Sequence, residues 1–291
     1  MSRRAELIDA VLENPGDDAT CLAFADWLDE HARSLPAAER PPVVARAEFV
    51  RLRLRLAALP EGLDRDAVRE RGDRLLDQHQ RSWPVAYGYS GEDCPRGFLH
   101  LSLSDEQFEQ VVPAALKVEP VFAHVLARKW NRRDNATAEF LERFKSGPHL
   151  RAVTGLCTVD LKLGPSGIAQ VFSSPYLKHV TTVAVLGDNI GLEGVRAIAE
   201  SPAPFRLGVL TLERAIKPPK VRAVVEYIAQ SPRFAHLHEL ALPFNGLNNR
   251  CIEALLASAT LPPRLRLYVH NNPYDRAAFA RQLAARFGVP G

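Results

Sequence analysis

Residues 237–245 read LHELALPFN, which follows the pattern L-x-x-L-x-L-x-x-N. Alternating apolar positions are typical of a strand that buries one face. The asparagine that closes the pattern has both a donor and an acceptor, so it can satisfy the exposed backbone of a turn. Similar apolar triplets occur at three other places: Val180, Val183 and Val185; Leu207, Leu210 and Leu212; and Leu267 and Val269 with Asn272. The segment therefore predicts one copy of a repeated strand–turn unit.

The spacing of the copies predicts a repeat fold. Prolines 148, 175, 202 and 232 lie 27, 27 and 30 residues apart. Between copies, apolar residues at helical spacing, such as Val195 and Ile198, predict an amphipathic helix. A strand–helix unit of about 28 residues is the signature of leucine-rich repeats and resembles their ribonuclease-inhibitor type. We therefore expect residues 150–291 to form an α/β solenoid, with parallel strands inside and helices outside.

The first 83 residues are expected to form a small all-α module of four helices. Asp17 or Asp18 is expected to cap the second helix. Three prolines over Ser34–Pro42 predict a loop before the third, and Trp27 is expected to be largely buried.

Residues 84–149 are expected to be a connector followed by degenerate first repeats or a cap. Short strands are predicted near Phe98–Leu103 and Val121–Leu126. Helices are predicted over Asp105–Leu116 and Thr137–Phe144.

The N-terminal stretch also resembles a known family. LIDAVLENPGDDATCLAFADWLDEHA at 7–32 and ARAEFVRLRLRLAAL at 45–59 are similar to the bacterial repeat-companion domain, a module that precedes leucine-rich repeats. The matching residues are Asp17, Asp18, Ala25–Leu28, Arg46–Phe49 and Arg51. The chain departs from the family over Ser34–Val44, where a short Gly-Asp-Pro turn is usual. The resemblance implies an architecture and carries no biochemical activity.

Composition narrows the class of protein. Of 291 residues 46% are hydrophobic and 24% charged, which is typical of a globular chain. The formal charge of +3 is too small to indicate a nucleic-acid partner, and the eight arginines between residues 46 and 77 are nearly balanced by seven acidic residues. No apolar run is long enough for a membrane span, and the N-terminus does not read as a signal peptide. Four widely spaced cysteines predict free thiols in the cytoplasm.

Residues with catalytic or metal-binding side chains lack the spacing that those functions need. Asp26, Asp29 and Glu30 could share a helix face, but no second ligand cluster accompanies them. Cys157 has no evident partner base. Phosphate loops, H-E-x-x-H and G-x-S-x-G are absent. We therefore predict no catalytic residues, no metal and no cofactor, and a protein that is not an enzyme.

Function is expected on the exposed strand face, because a repeat array presents a row of side chains there. We predict a protein-binding site centred near Tyr268, although Tyr268 could instead cover the end of the array. The alternative is a regulatory subunit or protein substrate of a bacterial signalling or defence enzyme such as a protease, with Ala215–Lys220 as a recognition or cleavage loop. Nucleic-acid binding through the arginine-rich helices is a third, weaker reading. The identity of the partner and the oligomeric state stay open. The predicted binding residues are Thr182, Glu213, Glu239, Arg266, Tyr268 and His270.

Overall fold

The computed structural model describes residues 2–83, 95–128, 136–145 and 147–288. Residues 84–94 of the predicted connector, including Cys94, lie outside the described residues. The chain divides into two compact units: residues 1–102 with 107–123, and residues 103–106 with 124–291.

The first unit contains the predicted helices. Their apolar stripes form one core, which includes Ile8, Phe24 and Val50. Asp17 caps the second helix, since its side chain accepts a hydrogen bond from Ala19 N; such a cap satisfies one of the free N–H groups of a first turn. The helices are α1 (Arg3–Glu13), α2 (Asp18–Ser34), α3 (Arg40–Ala58) and α4 (Leu63–His79).

Two expectations about this unit are corrected. The predicted loop over Ser34–Pro42 is shorter, because α2 includes Ser34 and α3 begins at Arg40. Prolines are tolerated in a first helical turn, where the missing N–H needs no partner. Trp27 is half-buried instead of largely buried: its ring stacks on His31 with centroids 5.1 Å apart.

Seven strands form one sheet whose order follows the chain. Every pairing from the third strand to the seventh is parallel, and the predicted α/β class is confirmed. The strands are β1 (Leu99–Ser104), β2 (Val121–Arg128), β3 (Val153–Val159), β4 (Thr182–Leu186), β5 (Val209–Glu213), β6 (Glu239–Ala241) and β7 (Arg266–Tyr268).

One helix lies between each pair of successive strands, and another follows the last strand. Such crossovers are what parallel pairing requires. The strands and helices predicted for residues 97–149 are confirmed, with Pro113 inside a helix. The helices are α5 (Asp105–Ala115), α6 (Ala136–Lys145), α7 (Gly164–Phe172), α8 (Gly191–Ala199), α9 (Val221–Gln230), α10 (Asn249–Leu256) and α11 (Arg276–Phe287).

The register aligns the apolar triplets as the repeat predicts. Val183 pairs with Leu210, which in turn pairs with Leu240, and all three are buried. The expectation that the triplets share one parallel sheet is therefore confirmed.

Candidate interaction face

The strand register places four side chains in one row on the exposed sheet face. In β4 Val183 is buried and its neighbour Thr182 is half-exposed, the alternation expected of a strand with one covered face. Thr182 aligns with Val209 on β5. Val209 aligns with Glu239, and Glu239 with Arg266.

A second row leads to Tyr268 across small side chains. Tyr268 aligns with Ala241, Ala241 with Thr211, and Thr211 with Ala184. None of these three neighbours carries a large side chain, whereas the Tyr268 side chain is 42% exposed. Tyr268 is therefore the largest group that this row presents to solvent.

An ion pair fixes two of the predicted binding residues. Arg266 Nη2 lies 3.2 Å from Glu239 Oε2 on the neighbouring strand. The guanidinium is largely exposed, so the pair contributes little to the free energy of unfolding. It does hold both charged groups beside Tyr268.

An aromatic cluster lies just beyond the strand ends. The Phe244 ring meets the His270 ring edge to face with centroids 6.2 Å apart, and the Arg214 guanidinium lies 4.7 Å from the Phe244 centroid. Arg214 Nη1 is also 3.4 Å from Glu213 Oε1. We call Arg214, Phe244, Tyr268 and His270 the aromatic patch.

Phe244 occupies an unfavourable backbone conformation. Its φ is +58°, in the left-handed region that bulky residues rarely adopt. The turn after each strand from β3 to β7 has a positive φ at the corresponding place, and Phe244 is the only large apolar residue among them. The five residues are Asp160, Gly187, Arg214, Phe244 and Asn271. A strained and 42% exposed phenylalanine is the kind of outlier that points to a binding role.

The turn that carries Phe244 is held by a buried asparagine. Asn245 Oδ1 accepts hydrogen bonds from Ala215 N at 2.9 Å and Ile216 N at 3.0 Å. Its Nδ2 donates to Leu212 O at 2.6 Å. The Phe244 backbone is therefore positioned before any partner arrives.

The structure brings most of the predicted residues together. Glu239 and Arg266 contact each other next to Tyr268, and His270 belongs to the aromatic patch. Glu213 reaches the patch through Arg214, while Thr182 lies in the first row, three strands away from β7.

Sequence reasoning missed Arg214 and Phe244. The signal was present, because Phe244 directly precedes the asparagine of LHELALPFN, where other copies carry Asp160, Gly187 or Asn271. An aromatic residue at this turn position stands out only once the copies are aligned on their turns.

The acidic residues considered for metal binding are engaged in ion pairs. Arg51 Nη2 lies 2.6 Å from Asp26 Oδ1 and 2.8 Å from Asp29 Oδ2. Glu30 pairs with Arg3. In the described ranges no group of three or more His, Cys, Asp or Glu side chains has a metal-binding arrangement.

The two remaining sequence candidates are constrained by burial. Burial raises the pKa of the Cys157 thiol, while the charge of Arg128 lowers it to a smaller extent, so the protonated thiol is favoured at neutral pH. In the loop Ala215–Lys220, Ala215 and Ile216 are buried and only residues 217–220 are exposed. A cleavage site over the whole loop is therefore corrected to its second half.

No helix in the part of the chain that the structure describes is both long and apolar enough to cross a membrane. A scan against protein-family models finds no match for this chain, and a search of curated proteins finds none either.

Proposed function

We propose that the protein is a non-enzymatic interaction module that binds a protein partner through the exposed sheet face. The aromatic patch is the proposed centre of binding. The observation that carries the proposal is the pair of large rings, Phe244 and Tyr268, each 42% exposed at a hydrogen-bonded strand end. Aromatic and arginine side chains are over-represented among the residues that dominate binding energy.

The proposal includes a leucine-rich-repeat solenoid preceded by a repeat-companion module. Its support is the regularity of the turns: the five positive-φ positions from Asp160 to Asn271 lie 27, 27, 30 and 27 residues apart. Asn245 and Asn272 make equivalent hydrogen bonds to the preceding turn. Stacked repeats present a rigid row of strand side chains, so little ordering opposes association.

The test is partner binding by two alanine variants. A partner is first captured from bacterial lysate by photocrosslinking at residue 211, between the two rows. We expect Phe244→Ala and Tyr268→Ala each to raise the dissociation constant about tenfold or more, the range of interface hot spots. Both rings are substantially exposed, so the melting temperature should stay nearly unchanged.

Tyr176→Ala is the matched control, because Tyr176 is an exposed aromatic outside the sheet. It should leave the dissociation constant unchanged. Normal binding by both patch variants would reject the aromatic patch as the binding centre.

The second candidate function is that of a regulatory subunit or protein substrate of an enzyme such as a protease. It is favoured by one observation: residues 217–220 are exposed next to a buried turn. A captured protease that cuts the wild-type chain after Lys217 or Lys220, and spares a variant with both lysines changed to glutamine, would support this function over the first.

A further inference from the structure

A small cavity opens among the helices of the first unit. Its volume is about 120 Å³, close to the roughly 150 Å³ of an engineered cavity that binds benzene. Most of its wall is apolar, and Arg4 and Arg46 line it as well. The apolar lining residues are Phe24, Leu28, Pro42, Val43, Trp83 and Val118.

One of the two arginines is already neutralised. Arg46 and Glu119 are only 5% and 4% exposed, and Arg46 Nε lies 2.8 Å from Glu119 Oε2. Arg46 Nη1 also donates to Gly97 O at 2.6 Å. This pair contributes no net charge to the cavity.

The other arginine has no carboxylate of its own. Arg4 Nε donates to Val118 O at 2.8 Å, and its guanidinium lies 5.3 Å from the Trp27 ring. Within the described ranges no carboxylate lies within ion-pair distance of Arg4, and its terminal nitrogens make no hydrogen bond. Burial lowers the pKa of Arg4, and the charge of Glu119 offsets this only in part. One partly desolvated positive charge is therefore left over at the cavity.

We propose that this cavity binds a small carboxylate whose apolar body is about the size of a benzene ring. The carboxylate accepts hydrogen bonds from the terminal nitrogens of Arg4, and the body packs between Trp83, Phe24 and Val43. A planar carboxylate matches the fork of a guanidinium. A phosphate dianion fits less well, because it would approach the buried Glu119 carboxylate and lose its hydration against apolar walls.

Benzoate is the probe, titrated into the full chain by calorimetry. We expect one saturable site, and binding of the neutral isostere benzamide about tenfold weaker, since it loses the charge-assisted contact with Arg4. Equal affinity for the two compounds would overturn the role of Arg4. No saturable benzoate binding up to about 10 mM would overturn the site.

Three variants separate binding from folding. Arg4→Met should raise the dissociation constant for benzoate about tenfold or more, whereas Arg3→Met, one residue earlier and paired with Glu30 on the surface, should not change it. Val43→Phe keeps both arginines and fills the cavity, so it should abolish binding while the helical circular dichroism is retained. Benzoate binding unchanged in Val43→Phe would place the ligand elsewhere and reject the proposal. Because the cavity lies in the first unit, its test is independent of partner binding by the aromatic patch.

Discussion

Asp188 places a carboxylate where two later copies carry an asparagine. Its Oδ1 accepts a hydrogen bond from Lys162 N of the preceding turn, as Asn245 Oδ1 does from Ala215 N. The amide nitrogen of Asn245 also donates to backbone carbonyls, but Asp188 Oδ2 is buried and has no hydrogen-bond partner among the described residues. A carboxyl oxygen can donate only when it is protonated.

Replacing Asp188 with asparagine should stabilise the protein at neutral pH. Burial is the main cause that raises the pKa of Asp188 above its ordinary value of 3.8, and the charge of Asp160 adds to it. The folded state therefore holds this proton more tightly than the unfolded state, and stability falls as the pH rises from 3.8 through the folded-state pKa. We expect Asp188→Asn to gain about 1–2 kcal/mol at pH 7 and much less near pH 4, by urea unfolding at both values.

Asp160→Asn is the control for charge removal. Asp160 is exposed and already has a positive φ, which asparagine tolerates. Its effect should be small at both pH values. A gain for Asp188→Asn that is equal at pH 4 and pH 7 would contradict the assigned ionisation.

The C-terminus of α8 depends on an arginine from the next copy. Arg233 Nε donates to Ala199 O at 2.8 Å and Nη2 to Ser201 O at 2.9 Å. Nη1 donates to Phe205 O at 3.0 Å. The last carbonyls of a helix have no partner within the helix, so one guanidinium satisfies both the end of α8 and the loop that follows.

Arg233→Met should lower the free energy of unfolding by about 2–3 kcal/mol, because it leaves several partly buried carbonyls unsatisfied and removes hydrogen bonds from a charged donor. Arg222→Met is the matched control: Arg222 lies on the exposed side of α9, where it pairs with Glu226, and should change the free energy by less than about 0.5 kcal/mol. Similar losses for both variants would show that Arg233 has no special role at the helix end.

At the scale of the whole molecule, neighbouring copies are linked through their asparagines. Asn272 Oδ1 accepts hydrogen bonds from Asn245 N at 2.9 Å and from Leu247 N at 3.0 Å. Asn245 makes the corresponding contacts to the turn before it. Repeat proteins gain much of their stability from such nearest-neighbour terms.

The double variant Asn245→Ala/Asn272→Ala should therefore be less destabilised than the sum of the single variants. Each single change should cost about 2–3 kcal/mol, since it leaves buried backbone groups unpaired, and the coupling should be about 0.5–1 kcal/mol. Asp188→Asn combined with Asn272→Ala shares no hydrogen-bond partner and should be additive. Chemical unfolding of all the variants measures both terms, and additivity of the asparagine pair would argue against a linked ladder.

Local pattern determined the elements and much of the sheet. The leucines of LHELALPFN and the interval between copies predicted the parallel register of Val183, Leu210 and Leu240, because side-chain alternation and repeat length are written along the chain itself. Glu239, Arg266 and Tyr268 could be placed on one face for the same reason.

Only the tertiary structure decided which distant groups meet. Phe244 and Arg214 are 30 residues apart in sequence, and their contact depends on the path of two separate turns. Glu119 reaches Arg46 across 73 residues, and Arg4 reaches Val118 across 114. Trp27 remains half-exposed because its surroundings are set by how α1 and α2 pack. Alternation and period record the neighbours of a residue within its own copy, whereas an ion pair, a cavity wall or an aromatic patch requires segments that the linear pattern does not relate.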